Sequence, residues 1–216
     1  MNTFELRKKI GLNVFTVNMI KPLLELEYKQ PLIKINAMVK KGDLLQLKRG
    51  VYAFNSDYRD YPLNLIAVAN LLHRPSYVSF EYALSNYGLI PERVYTITSA
   101  TSYKSWEYST EIGKFSYTKI SSKVYSLGLE YKYDDRDGGY LIATVEKALC
   151  DKLYQDGRIK ELKSSEIMEY LENDLRIEWG ELKKLDTTLM WKISMAYSST
   201  FLQKVTSTIA KRKKHV

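Results

Sequence analysis

VKKGDLLQLKRGVYAF, residues 39–54, holds a helix end, two strands and the turn between them. Gly42 stands where a basic helix needs a left-handed residue to stop. Leu44 to Lys48 then predicts a short strand, Arg49-Gly50 a turn, and Val51 to Phe54 a second strand. Leu45 and Leu47 alternate with Gln46 and Lys48, so one face of the hairpin is expected to pack inward and the other to meet solvent.

Working back toward the N-terminus, residues 4–10 predict a helix with Phe4, Leu6 and Ile10 available for packing. Thr16 suits the N-cap of a second helix, with Phe15 stapled onto Ile20. Pro22 removes a backbone donor inside that helix, so a kink or early end is expected there. Pro31, after Gln30, suits the first position of a third helix. On a helical wheel Leu32, Ile35, Met38 and Val39 gather on one side, with Val39 near its centre. Gln30, Ile33, Lys34, Ala37 and Lys41 gather opposite, on a short, basic face. Three helices ending in a small basic hairpin is the pattern of a winged helix-turn-helix, whose third helix reads the major groove of DNA. Gln30, Lys34, Ala37 and Lys41 are therefore expected at base edges, and Lys40, Lys48 and Arg49 on phosphates or in the adjacent minor groove.

Beyond Phe54, the polar stretch NSDYRDYP (residues 55–62) marks a domain junction, dividing the chain into 1–55 and 56–216. A helix is expected on Leu63, Ile66, Ala67, Asn70 and Leu71, and another from Ser79 to Gly88. Residues 93–100, 114–121, 127–133 and 140–143 read as strands rich in Tyr, Thr, Ile and Val. Thr144 starts a helix with Val145, Ala148, Leu149 and Leu153 on one face, and helices follow at 165–175, 178–185 and from Leu189 into the tail. The class is α+β: a winged helix-turn-helix, then helices around an antiparallel sheet, then a helical C-terminal part.

Several blocks in order carry a resemblance. Phe15-Thr16, MVKKGDLLQLKRGVYAF (38–54), PLNLIAVANLL (62–72), SYVSFEYALSNYGLIPE (76–92) and IATVEKALCDKLY (142–154) together resemble the AbiEi family of antitoxins, over roughly residues 1–155. Those are antitoxins of bacterial type IV toxin–antitoxin, or abortive phage infection, systems. The resemblance implies a winged helix that binds inverted repeats in its own promoter, paired copies on DNA, and a C-terminal domain that counters a nucleotidyltransferase-like toxin. Two other readings stand beside it. One is a stand-alone winged-helix regulator whose C-terminal domain dimerises or senses a ligand. The other is a DNA-processing enzyme using Glu130 and Lys132, the E-x-K half of a nuclease core, although that spacing recurs at Glu27, Glu161 and Glu181.

Charge supports a division of labour within a net +8. Residues 1–54 hold ten Lys/Arg against four Asp/Glu, residues 55–196 eighteen against twenty-one, and residues 197–216 five against none. The basic tail, Lys211 to Lys214, reads as a frayed terminus or a further phosphate or partner contact. Asp134, Asp135 and Asp137 read as a solvated turn rather than a metal site. His73 and His215 lack ligand spacing, and no GxSxG, P-loop or GxGxxG occurs, so neither catalysis, metal nor cofactor is expected. Cys150 is alone and forms no internal disulfide. Without an apolar run of membrane length or a secretory signal, a cytoplasmic protein is expected.

Overall fold

The computed structural model describes residues 1–156 and 162–214, so Glu161 and His215 lie outside it. Helix α1 (Thr3–Ile10) opens on a capping box: the Glu5 N–H donates to the Asn2 side chain, and the Asn2 N–H donates to Glu5. Strand β1 (Val14–Thr16) follows, unforeseen because three residues are too few to show an alternation. Helix α2 (Val17–Glu25) begins after Thr16 as expected and runs through Pro22 without ending there. Helix α3 (Pro31–Lys41), closed by Gly42 at φ 84, and strands β2 (Leu44–Lys48) and β3 (Val51–Phe54) keep the expected limits. The three strands form an antiparallel sheet in the order β1-β3-β2.

The rest of the chain completes an α+β fold. Its elements are α4 (Leu65–Leu72), β4 (Ser76–Val78), α5 (Phe80–Asn86), β5 (Thr96–Thr101), β6 (Trp106–Thr110) and β7 (Gly113–Lys119). Then come α6 (Ser122–Tyr125), β8 (Leu129–Asp134), β9 (Gly138–Ala143) and α7 (Val145–Gln155). The C-terminal helices are α8 (Ser164–Glu169), widening into a π turn at Tyr170–Asp174, α9 (Trp179–Leu182), α10 (Thr187–Ala196) and α11 (Thr200–Lys214).

Strands β4 to β9 form one six-stranded sheet, ordered β6-β7-β5-β4-β9-β8. This sheet corrects the antiparallel expectation, because β4 runs parallel to β9 and β5 parallel to β7. The cause is that each hairpin, β6–β7 and β8–β9, docks through its second strand and leaves its first at the edge. Two reversals, from β5 to β6 and from β6 to β7, return β7 parallel to β5. Beside β4, which pairs with β9 only at Val78 and Ile142, the Asn70 side chain takes up both backbone groups of Leu141.

The single long C-terminal helix is also corrected. Ser198 at φ 53 separates α10 from α11. The basic end of α11 is held rather than frayed: Arg212 pairs with Glu172 at 2.7 Å and lies 4.4 Å over the Trp179 ring, while Lys213 Nζ donates to the Leu185 carbonyl.

Two apolar cores meet at the small sheet. Phe15, Tyr52, Phe54 and Leu44 pack with Leu6, Ile20, Leu24, Ile35 and Met38 from α1–α3. Val14, Leu47, Val51 and Ala53 belong instead to the core that holds Val68, Leu72 and the six-stranded sheet. Strand β3 is consequently buried along its whole length. Loop contacts add to this seam, since the Asn13 N–H donates to the Arg136 carbonyl in the β8–β9 turn at 2.6 Å.

A polar knot sits inside the larger core. Lys147 and Asp151, one turn apart on α7, are both fully buried and 2.6 Å apart. Asp151 also accepts from Tyr77 (2.9 Å), Ser79 (2.7 Å) and Tyr197 (2.5 Å), which ties β4, α7 and the end of α10 to one carboxylate.

Candidate nucleic-acid interface

The residues singled out on α3 fall into two groups. Lys34, Ala37 and Lys41, spaced one turn apart, line a cleft of about 390 Å³ whose other wall is the start of α1, with Asp43 and Tyr58 at its base. Lys34 is half-buried, with its ammonium 5.2 Å from the centre of the Tyr28 ring. Lys41 stays exposed and pairs with Asp43 at 3.2 Å. Asp43 accepts further hydrogen bonds from Thr3 and Tyr58, each 2.7 Å. Burial works against its charge, but these three donors hold the carboxyl below its ordinary range. The carboxylate thereby fixes where α3 ends and β2 begins.

Gln30, Ala37 and Lys40 are exposed, and so is Asn36, which sequence reasoning passed over. The wheel centre explains the omission. The most buried positions are Ile35, Pro31 and Met38, so the outward face turns toward Ile33, Asn36 and Lys40, and Leu32, expected in the core, is 55% exposed. A wheel centred on Ile35 would have found Asn36. The helix carries no acidic side chain, and its outward face combines an amide (Asn36), a small residue (Ala37), an apolar one (Ile33) and an ammonium (Lys40). Such groups suit adenine edges, close backbone approach, thymine methyls and phosphates respectively.

The hairpin turn requires a correction at Lys48. A register shift between Gln46 and Lys48 rotates this side chain off the solvent face and toward α4. Its ammonium donates to the Leu72 carbonyl at the end of α4 and lies 5.4 Å from the Tyr108 ring. Burial, with help from the Arg74 charge, lowers the Lys48 pKa from the ordinary lysine value. Lys48 therefore belongs to the seam between the two cores, not to an exposed tip. Arg49 remains exposed, beside the start of α2, where the Val17 N–H donates to the Gly50 carbonyl at 2.9 Å. The structure thus brings Lys34, Ala37 and Lys41 together along one cleft, leaves Gln30 and Lys40 exposed at opposite ends of α3 and Arg49 apart in the hairpin turn, and turns Lys48 inward.

The other candidate groups are occupied structurally. Asp134 accepts from the backbone N–H groups of Arg136 and Asp137 and from the Asn64 side chain, closing its own turn. Asp137 is buried and accepts from the Asn64 N–H at the start of α4. Among the described residues no three His, Cys, Asp or Glu side chains gather as a metal site. Glu130 and Lys132 pair with each other at 3.0 Å, and Tyr87 also donates to Glu130. Cys150 is fully buried, and burial pushes its thiol up.

Asp137 yields a prediction. Burial raises its carboxyl above the ordinary range, against the hydrogen bond from Asn64. The folded chain therefore binds this proton more tightly than the unfolded chain does, and stability falls as pH rises from the ordinary carboxyl value through the raised one. Asp137→Asn keeps the acceptor for Asn64 and removes the titration. The variant is expected to melt a few degrees above the parent at neutral pH and to lose that advantage in acid; a lower melting temperature at neutral pH would refute this.

A scan against protein-family models gives no match, and a search of curated proteins gives none either. Among the described residues no helix is long and apolar enough to cross a membrane.

Proposed function

We propose that residues 1–54 act as a winged helix that binds duplex DNA, and that the chain is an antitoxin of the AbiEi type which represses its own operon. The observation that carries the DNA reading is the outward face of α3: exposed, free of acidic residues, and bearing Asn36, Ala37 and Lys40. The element order α1-β1-α2-α3-β2-β3, with β3 central, supports it as the layout in which a third helix is presented to a major groove. The Lys/Arg excess over residues 1–54 supplies the sequence-independent attraction to phosphate.

Fluorescence anisotropy with DNA from upstream of the gene, against random DNA of equal length, tests this. Asn36→Ala is expected to cost about 1–3 kcal/mol on the operator and little on random DNA. Lys40→Ala and Arg49→Ala should weaken binding to both alike and each reduce the salt slope by about one. Lys48→Ala should leave the salt slope unchanged, since its ammonium is turned inward. Equal affinity for operator and random DNA would end the repressor reading.

The antitoxin half of the proposal rests on the sequence resemblance and is independent of the DNA test. Co-expression of the full chain with a nucleotidyltransferase encoded beside it should relieve growth arrest. The full chain is the right reagent, because residues 56–216 alone would bare the surface on which Val14, Leu47, Val51 and Ala53 pack. Persistent arrest would favour a stand-alone regulator.

A further inference from the structure

Among the described residues, strand β8 is an end strand of the six-stranded sheet and pairs on one side only, with β9. Which of its backbone groups face outward follows from the far side of β9. The Leu141 N–H donates to Asn70 Oδ1 at 2.8 Å, and the Leu141 carbonyl accepts from Asn70 Nδ2 at 3.2 Å. Both Leu141 groups therefore point away from β8, which makes Leu141 and Tyr131 a non-hydrogen-bonded pair of the ladder. By the alternation of antiparallel strands, the N–H and C=O groups of Leu129, Tyr131 and Tyr133 all point out at the open edge. The side chains of Tyr131 and Tyr133 are 68% and 62% exposed beside them.

We propose that this edge binds a second copy of the chain, with the two β8 strands antiparallel about a two-fold axis at Tyr131, joining both large sheets into one. The charges select the register. With the axis at Tyr131, each Tyr131 exchanges two backbone hydrogen bonds with the partner's Tyr131, and Leu129 does so with the partner's Tyr133. Glu130 then stands opposite the partner's Lys132, and Lys132 opposite the partner's Glu130, in the closely spaced pairs where side chains meet. Sliding by two residues, the smallest step that keeps the outward groups paired, sets Glu130 against the partner's Glu130 in one direction. In the other it sets Lys132 against the partner's Lys132 and Glu130 against the partner's Asp134. A lysine on an edge strand ordinarily discourages pairing; Lys132 discourages the slipped registers while favouring this one. The opposite edge, β6, offers no such match, since WEYST carries a single charge at Glu107.

The association requires no DNA and stands whether or not α3 binds any. Sedimentation of the full chain is expected to show a concentration-dependent monomer–dimer equilibrium. Tyr131→Pro removes an outward N–H that β9 does not use, so the fold tolerates it and the dimer is lost. Lys132→Glu sets like charges across the axis twice and is expected to weaken dimerisation about tenfold. Combining Glu130→Lys with Lys132→Glu restores opposite charges both across the axis and within the strand, where the two side chains pair at 3.0 Å, and should recover the dimer; a dimer affinity that merely followed the melting temperature across this set would overturn the proposal. If Tyr131→Pro disturbs the melting temperature, the charge-swap set decides alone. A parent chain that stays monomeric, or a double variant no tighter than Lys132→Glu, overturns the proposal. So does open-ended growth into higher oligomers, which would place β8 on β6 of the next copy.

Discussion

Asp151→Ala is expected to lose about 3–5 kcal/mol of folding stability, because it strands a charge in the core. Lys147 has no exposed surface, and Asp151 is its carboxylate partner at 2.6 Å. Without that carboxylate the ammonium keeps, among the described residues, the rings of Tyr197 and Tyr77, 4.9 and 5.7 Å away. The hydroxyls of Tyr77, Ser79 and Tyr197 lose an acceptor at the same time. The penalty reflects the unpaired ion more than the worth of the pair, so removing both charges should be milder. Lys147→Met combined with Asp151→Asn leaves an amide oxygen for the hydroxyls and no buried charge. Urea denaturation should place this double variant well above Asp151→Ala. A loss below about 1 kcal/mol for Asp151→Ala would mean that water reaches Lys147 and would refute the stranded-charge account.

Gly128→Ala is expected to cost about 3 kcal/mol, from two sources that add. Gly128 sits at φ 64, where a side chain costs about 1–2 kcal/mol. A Cβ there would also stand 2.9 Å from Lys147 Cβ and 3.3 Å from Ile193 Cδ1, a clash against packed atoms worth about 1–3 kcal/mol. The Gly128 carbonyl accepts from the Thr144 N–H at 2.8 Å, so any shift that relieves the clash also pulls on the start of α7. Gly42 is the control: its φ is 84 but nothing lies within 4 Å of a built Cβ, so Gly42→Ala should lose the conformational part alone. Thermal melts that ranked the two variants equally would refute the steric share.

The stretch from α3 through β3 was legible because its signals are local: Pro31 at the helix start, Gly42 past its end, and Gly50 in the turn. The α+β class was legible for the same reason. Strands β1 and β4, three residues each, were not, since a period of two cannot show itself in so short a run. Strand direction in the large sheet was also hidden, because an alternating pattern reads the same whichever strand of a hairpin docks. At the site, helical spacing put Ala37 on the outward face, Lys40 was assigned to phosphate apart from that face, and Asn36 was lost to a wheel centred on Val39 rather than Ile35. Lys48 was misplaced for a deeper reason. A bulge beside it depends on which surface the hairpin meets, and that surface is formed by α4, more than fifteen residues further along.

The burial of β3 on both sides changes what sets its alignment. In a strand with one wet face, polarity fixes the register, because a slip by one residue drives polar groups inward. In VYAF every residue is apolar and every residue is buried, so polarity gives no guidance. Size does it instead: Val51 and Ala53 face the α4 side, while Tyr52 and Phe54 face α1–α3. A one-residue slip would press two rings into space shaped for small side chains and leave voids beneath the helices. The strand thus acts as a gauge of volume, and the aromatic Phe15 on β1, tilted against Phe54 with ring centres 5.0 Å apart, is the matching piece on the crowded side.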